Sequence, residues 1–277
     1  MRNPASLRSP RIAVLPLMAA LLLVVFAAPC QAQEKAAATA AAPATGGANA
    51  TLIEPGDAMR TVQSVVLFGL VSLAPVALLM ITPFVRINIV LVLLRQALGS
   101  PQVPGNQVLM ALSLLLSALV MRPVGERVYH DAVEPYMAGK ASAMDSWNVG
   151  AKPIKTFMVE QILRTNHQDY LWSIYQHSAE SKAGLAEPEE PDQFPLGVVA
   201  PAFILSELTT ALMIGFYLYL PFLIIDLVVS SVLAAMGLFM LPPTLVAMPV
   251  KLIVFVLIDG WLLVAEMLLS GFSVSGA

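Results

Sequence analysis

The chain has 277 residues, of which 58% are hydrophobic and 12% charged, with a mean hydropathy of +0.78; this balance lies outside the range of soluble domains and marks a membrane protein. A formal net charge of −3 and a pI near 5.6, with no cluster of Lys or Arg, exclude the electrostatic footprint of a nucleic-acid binder. Cys30 is the only cysteine, so no disulfide forms within one chain.

The amino terminus carries Arg2, Arg8 and Arg11, then an apolar run from Ile12 to Ala28, then small residues around Cys30-Gln31-Ala32. This is the pattern of a secretory signal peptide, residues 1–32, cut after Ala32. An uncleaved first span is the alternative. Cys30 would leave with the peptide, and Pro29 stands where a lipidated cysteine wants a small residue. Gln33 to Ala50 is mostly Ala, Thr, Gly and Pro and reads as a flexible linker, extending to residue 58.

Residues 59–121 read as an N-terminal apolar helical hairpin. Val62 to Thr82 is apolar and interrupted by Pro75, which removes a backbone hydrogen bond and bends a helix. The segment from Pro83 to Gln102 holds Arg86 and Arg95 without an acid, so the positive-inside rule puts it on the cytoplasmic side. Leu98-Gly99-Ser100-Pro101 and Pro104-Gly105-Asn106 predict a turn. Val108 to Met121 then forms a short second span or half of a hairpin, with small residues at Ser113, Ser117 and Ala118.

Residues 122–196 change character, with mixed charges, His130, His167 and His177, and two of the tryptophans. Helical spacing of Ile154, Phe157, Met158, Ile162 and Leu163, then of Tyr170, Leu171, Ile174 and Tyr175, predicts amphipathic helices; Glu187 to Pro195 reads as a loop. Two spans before this region place it in the periplasm. The histidines lack the acidic partner and the i, i+4 pairing of a helical metal site and are read as surface residues.

Residues 197–277 are almost continuously apolar, with breaks at Pro221, Pro242-Pro243 and Pro249 and up to three spans. The stretch Pro221 to Pro243, PFLIIDLVVSSVLAAMGLFMLPP, would reach roughly 30 Å as a helix, enough for a bilayer core. On its wheel Asp226, Ser230, Ala234 and Gly237 share a narrow small-residue face on which another helix packs closely. An ionised Asp in lipid costs at least about 2.5–3.5 kcal/mol, so Asp226 faces protein or water rather than serving a simple anchor.

Arg86, Glu207, Asp226, Lys251 and Asp259 bring both signs into apolar surroundings, and such charges survive burial by pairing. Either Arg86 or Lys251 of one copy meets Glu207 or Asp226 of a neighbour, fixing register in a ring, or the pairs form within one chain. Met236, Leu238, Phe239, Met240 and Leu241 are bulky side chains, two of them methionines, ending at a double proline; a ring of such segments would close a pore, and ordinary helix packing is the alternative. Catalysis finds little support. Asp226 and Asp259 lie in separate apolar segments as an intramembrane aspartyl protease requires, but nothing supplies the rest of that pattern. No Gly-rich phosphate loop or nucleophilic serine motif is present, and no cofactor is expected.

The run PFLIIDLVVSSVL, Pro242-Pro243, the downstream KLIVFVLIDGW from Lys251 to Trp261, and LLRQALGSPQVPGNQVL from Leu93 to Leu109 together resemble the flagellar biosynthetic protein FliP family, from about Val62 to Phe272. The resemblance implies an all-α integral membrane protein of bent apolar helices and helical hairpins with a helical periplasmic insert. It implies a non-enzymatic homo-oligomer, a pentamer, built with FliQ and FliR, with FlhB and FlhA as further partners. That assembly would sit in the bacterial inner membrane at the flagellar basal body, as the channel for unfolded export substrates driven by other components and the proton-motive force. In that family the segment at Met236–Leu241 is a methionine-rich gating loop; here Leu238 and Phe239 replace methionines, which stiffens the gasket. The family's Ser-Phe-Thr-Arg reads Thr82-Pro83-Phe84-Val85-Arg86, and the lysine after its Glu-Leu is Thr209. An injectisome paralogue exporting effectors and an unrelated small oligomeric transporter are the alternatives.

Overall fold

The computed structural model describes residues 76–272 apart from 101, 102, 179, 180, 182–187, 189 and 239, together with isolated positions 63, 66, 68, 69, 72 and 73. The expected signal peptide, its cleavage after Ala32, the linker at 33–58 and the bend at Pro75 lie outside the described residues. The chain divides into two units, Met1–Pro75 and Val76–Ala277, and the architecture below is that of the second. Among the described residues it is helical throughout, with no strand.

Helix α1, Phe84–Ala97, starts directly after Pro83, where the Thr82 hydroxyl accepts a hydrogen bond from the Phe84 N–H. Ile87, Val90, Leu91 and Leu94 repeat at helical spacing and are fully buried. Each such side chain contributes about 1.5–3 kcal/mol as an upper estimate. The turn from Leu98 to Gly105 is pinned from outside: Arg95 Nη1 donates to Asn106 Oδ1 at 2.6 Å and to the Pro104 carbonyl at 3.2 Å.

Helix α2, Asn106–Val128, runs past Met121 and through Pro123, then through a π-helical turn, Tyr129–Val133, into the short α3, Glu134–Met137. The step from apolar to hydrophilic sequence at residues 121–122 therefore falls inside a continuous helical run of 32 residues. The composition changes there while the backbone continues.

Helix α4, Ala143–Arg164, is capped by Ser142, whose hydroxyl accepts from the Asp145 N–H. It ends in a Schellman motif in which Asn166 takes φ 57° and the His167 N–H reaches the Ile162 carbonyl. This left-handed residue turns the chain into α5, Gln168–His177. The expected apolar faces are present: Phe157, Met158 and Ile162 of α4 and Leu171 and Tyr175 of α5 are buried, while Leu163 remains exposed. A 3₁₀ turn, Pro191–Gln193, follows.

Helix α6, Leu196–Ala235, holds 40 residues, so it reaches about 60 Å, twice a bilayer's hydrocarbon core. It passes through Pro201 and Pro221, and the expected break at Pro221 does not occur. Both prolines lie on exposed flanks. Each forfeits one backbone hydrogen bond at a cost of about 3 kcal/mol, which the buried residues on either side outweigh. The first half of α6 packs Val198, Val199, Ala202 and Phe203 into the core, where Phe203 meets Phe157 of α4 edge to face. Further along, Gly215 receives Leu93 of α1 so closely that a Cβ would stand 2.2 Å from Leu93 Cδ1.

The helix expected over Pro221–Pro243 ends at Ala235. Gly237 takes φ 73°, and the Leu238 and Gly237 N–H groups cap the Leu233 and Ala234 carbonyls, a Schellman end that only glycine enters without strain. Pro242 and Pro243 then open helix α7, Pro243–Leu257, where a missing N–H costs nothing. At Asp259, which takes φ 49°, the chain bends by 65° into α8, Gly260–Ser270. Among the described residues two helical runs, Asn106–Met137 and Leu196–Ala235, are long and apolar enough to cross a membrane, or three spans if the broken pair α7–α8 acts as one.

Two glycines carry testable consequences. Gly215→Val should push α6 off α1 and cost about 1–3 kcal/mol, read as a lower thermal midpoint of the purified protein; adding Leu93→Ala to it should recover much of the loss. Gly237→Ala should cost about 1–2 kcal/mol and Gly237→Asn less, because asparagine tolerates the left-handed region.

Candidate functional site

Lys251, on α7, is 5% exposed, and its ammonium has two partners. It donates to Asp226 Oδ2 of α6 at 2.6 Å and to the Ala97 carbonyl, the last residue of α1, at 3.0 Å. One cation thus ties three helices, and it sits where the carbonyl end of α1 carries partial negative charge. The half-buried Asp226 keeps part of its carboxylate accessible.

A second pair is buried more deeply. Arg86 of α1 donates through Nη2 to Glu207 Oε1 of α6, and the two residues are 2% and 0% exposed. Phe272, just beyond α8, lays its ring over this guanidinium. Both pairs therefore form within one chain, as the intrachain alternative had it: Glu207 meets Arg86 and Asp226 meets Lys251. Within the chain each of these four charges has one opposite partner. Asp259 is different, for it makes no ion pair among the described residues and marks the corner of the α7–α8 bend.

Between α6 and α7, residues 236–238 and 240–242 are non-helical, and Met236, Leu238, Met240 and Leu241 are exposed, Met240 at 96%; Phe239 lies outside the described residues. The small-residue face is only partly a helix face. Ser230 is half-buried and bonds its hydroxyl to the Asp226 carbonyl at 2.7 Å, Ala234 is exposed, and Gly237 is the cap beyond the helix end rather than a packing position. The wheel placed Gly237 on that face because nothing in the apolar run marks Ala235 as the last helical residue.

Two histidines depart from their reading: His130 is exposed as expected but not without an acidic partner, and His167 is not a surface residue. His130 does have an acidic partner at i, i+4, Glu134, with Nδ1 3.0 Å from its carboxylate. His167 is half-buried; it stacks on Tyr170 and its Nδ1 lies 2.9 Å from Ser206 Oγ, which also bonds Thr165 Oγ1 at 2.8 Å. Thr209, where the family's lysine was expected, lies 3.3 Å from the Tyr170 hydroxyl. Together these contacts form a polar joint between the α4–α5 corner and α6, one residue from Glu207. His177 is exposed and bonds the Ser173 carbonyl. Among the described residues no group of three His, Cys, Asp or Glu side chains converges as metal ligands.

Sequence reasoning did not find the Ala97 carbonyl, Phe272 or the Ser206 joint. A backbone acceptor carries no residue signal, and Phe272 sits in a stretch where every neighbour is apolar or small.

Comparison with known proteins places the chain in a family. Residues 67–268 match the FliP family. The chain is 44% identical over 212 residues to a flagellar biosynthetic protein FliP of Pectobacterium carotovorum subsp. carotovorum, covering 76% of this chain and 79% of the relative. It is 40% identical over 262 residues to one of Caulobacter vibrioides, covering 95% and 91%, and 38% identical over 219 residues to one of Bacillus subtilis, covering 79% and 95%. Both charged pairs, the exposed segment between α6 and α7 and the broken hairpin as far as Leu268 fall within the matched span, and the chain belongs to the FliP family.

Proposed function

We propose that this protein is a membrane subunit of the flagellar export apparatus, and that several copies, a pentamer by resemblance, form with FliQ and FliR the channel through which unfolded flagellar subunits pass. FlhB and FlhA are proposed as neighbours of that channel, which lies in the bacterial inner membrane at the basal body, with α4 and α5 on the periplasmic side. The family match across residues 67–268, with relatives that are flagellar biosynthetic proteins, carries this reading. It favours the flagellar branch over an injectisome paralogue and over an unrelated transporter. The role is that of a conduit, not an enzyme.

The geometry supports a gate at 236–242. This segment projects bulky side chains from between two helices that are braced to each other by Asp226 and Lys251. Methionine adapts its shape at low cost, so Met236 and Met240 with Leu238, Phe239 and Leu241 would seal around nothing or around a passing chain. Apolar surface left exposed along α6, at Leu212, Phe216, Tyr217, Ile224 and Leu227, is available for neighbours or lipid.

Deletion of the gene should abolish swimming and hook-protein secretion together; motile cells with normal hook export would overturn the flagellar assignment. Replacing Leu238, Phe239 and Met240 by Ala should raise ion leakage through the assembled complex, and unchanged conductance would sink the gate. Reversal of either Asp226→Lys or Lys251→Asp should abolish export, since breaking such a pair costs about 3–5 kcal/mol. The double reversal should rescue only in part, because a carboxylate at 251 repels the Ala97 carbonyl that the ammonium now satisfies. Full rescue would show that this carbonyl contact contributes nothing.

A further inference from the structure

The broken hairpin α7–α8 is fastened to α1 at two places. The first is Lys251, on the Ala97 carbonyl. The second is Phe272, whose ring centroid lies 4.2 Å from Arg86 Cζ. Arg86 and Phe272 are each only 2% exposed, so this cation–π contact is made away from water, where such contacts are strongest.

The Arg86–Glu207 pair needs something beyond its own hydrogen bond. Arg86 Nε and Glu207 Oε2 are both buried without a hydrogen-bond partner among the described residues. A desolvated ion pair with unsatisfied edges is unfavourable unless further groups compensate it. The negative face of an aromatic ring over the guanidinium is such a group, and an aliphatic side chain of similar size is not.

We propose that Phe272 is a latch over the Arg86–Glu207 pair, its ring completing the charge compensation, so that seating of α8 and burial of the pair are a single event. Phe272 is on this view a positioning residue. It fixes the far end of the hairpin whose near end Lys251 holds, and it leaves the Ile258–Asp259 corner as the hairpin's free part. The inference concerns the folded chain and stands whether or not the channel reading holds.

The test uses the full-length protein purified in mild detergent with its copurifying subunits. Phe272→Leu should lower the thermal midpoint by about 4–8 °C, while Phe272→Tyr should not. In a background carrying Arg86→Met and Glu207→Gln, Phe272→Leu should cost much less. An equal loss in both backgrounds would mean that the ring only fills space. Should the neutral background fail to fold, phenylalanines with one, two and three ring fluorines placed at position 272 decide the matter in the native chain. The midpoint should then fall stepwise as the ring face loses negative charge, and a flat series would overturn the latch.

Discussion

A charge moved from water into an apolar helical protein costs several kcal/mol, and it stays charged only when an opposite group of good geometry meets it. Arg86 with Glu207 and Lys251 with Asp226 satisfy that condition inside a single chain, and most of the fold can be derived from it. Both carboxylates are on α6. One cation and one carbonyl acceptor are on α1, and the other cation is on α7. The pairs therefore hold α1 and α7 against α6 at specified heights, whereas apolar packing alone would allow either helix to slide. Breaking register by one residue rotates a helix by about 100°, which would leave a buried charge alone. Whatever these pairs contribute to net stability, they select one arrangement.

The length of α6 follows from a second constraint. Its first half is sheathed by α1, α4 and α5 and its second half is largely bare. One helix thus serves both the hydrophilic insert and the apolar part, and the polar joint of Ser206, Thr165 and His167 lies where the insert is attached. Immediately next to it in sequence, Glu207 turns to the other side and pairs with Arg86. A displacement of the insert along α6 would disturb neighbouring residues of one helical turn, so the insert and the buried pair are mechanically close.

Much of this was legible in the residues. The apolar spacing of α1, α4 and α5, the turn between Leu98 and Asn106 and the need of Arg86, Glu207, Asp226 and Lys251 for partners all follow from periodicity and desolvation. What failed was punctuation inside apolar runs. Pro221 reads as a break, yet α6 crosses it, because one lost hydrogen bond is small against forty residues of helix. Gly237 reads as a packing residue, yet it caps a helix, because its effect depends on φ, which the pattern of apolar side chains does not reveal. Which cation meets which carboxylate was open as well: Arg86 and Lys251 could each meet Glu207 or Asp226, and only the placement of α1 and α7 on α6 decides. His130 with Glu134 was within reach of simple counting at i, i+4.

The position of the brace relative to the exposed segment is itself informative. Asp226 lies nine residues before the end of α6 and Lys251 eight residues after the start of α7, so the ion pair is about 12–14 Å of helix away from the segment on either side. A brace immediately beside the segment would freeze it, and one much further away would let the helix ends splay. At this distance the two helices stay together, and the glycine cap at 237 and the double proline at 242–243 bound the stretch that carries the exposed Leu238, Met240 and Leu241. On the proposed reading a seal must yield to chains of many shapes and close again without remaking the assembly. A short segment of adaptable side chains hung from a fixed frame meets that requirement, and a continuous helix through the same residues would not.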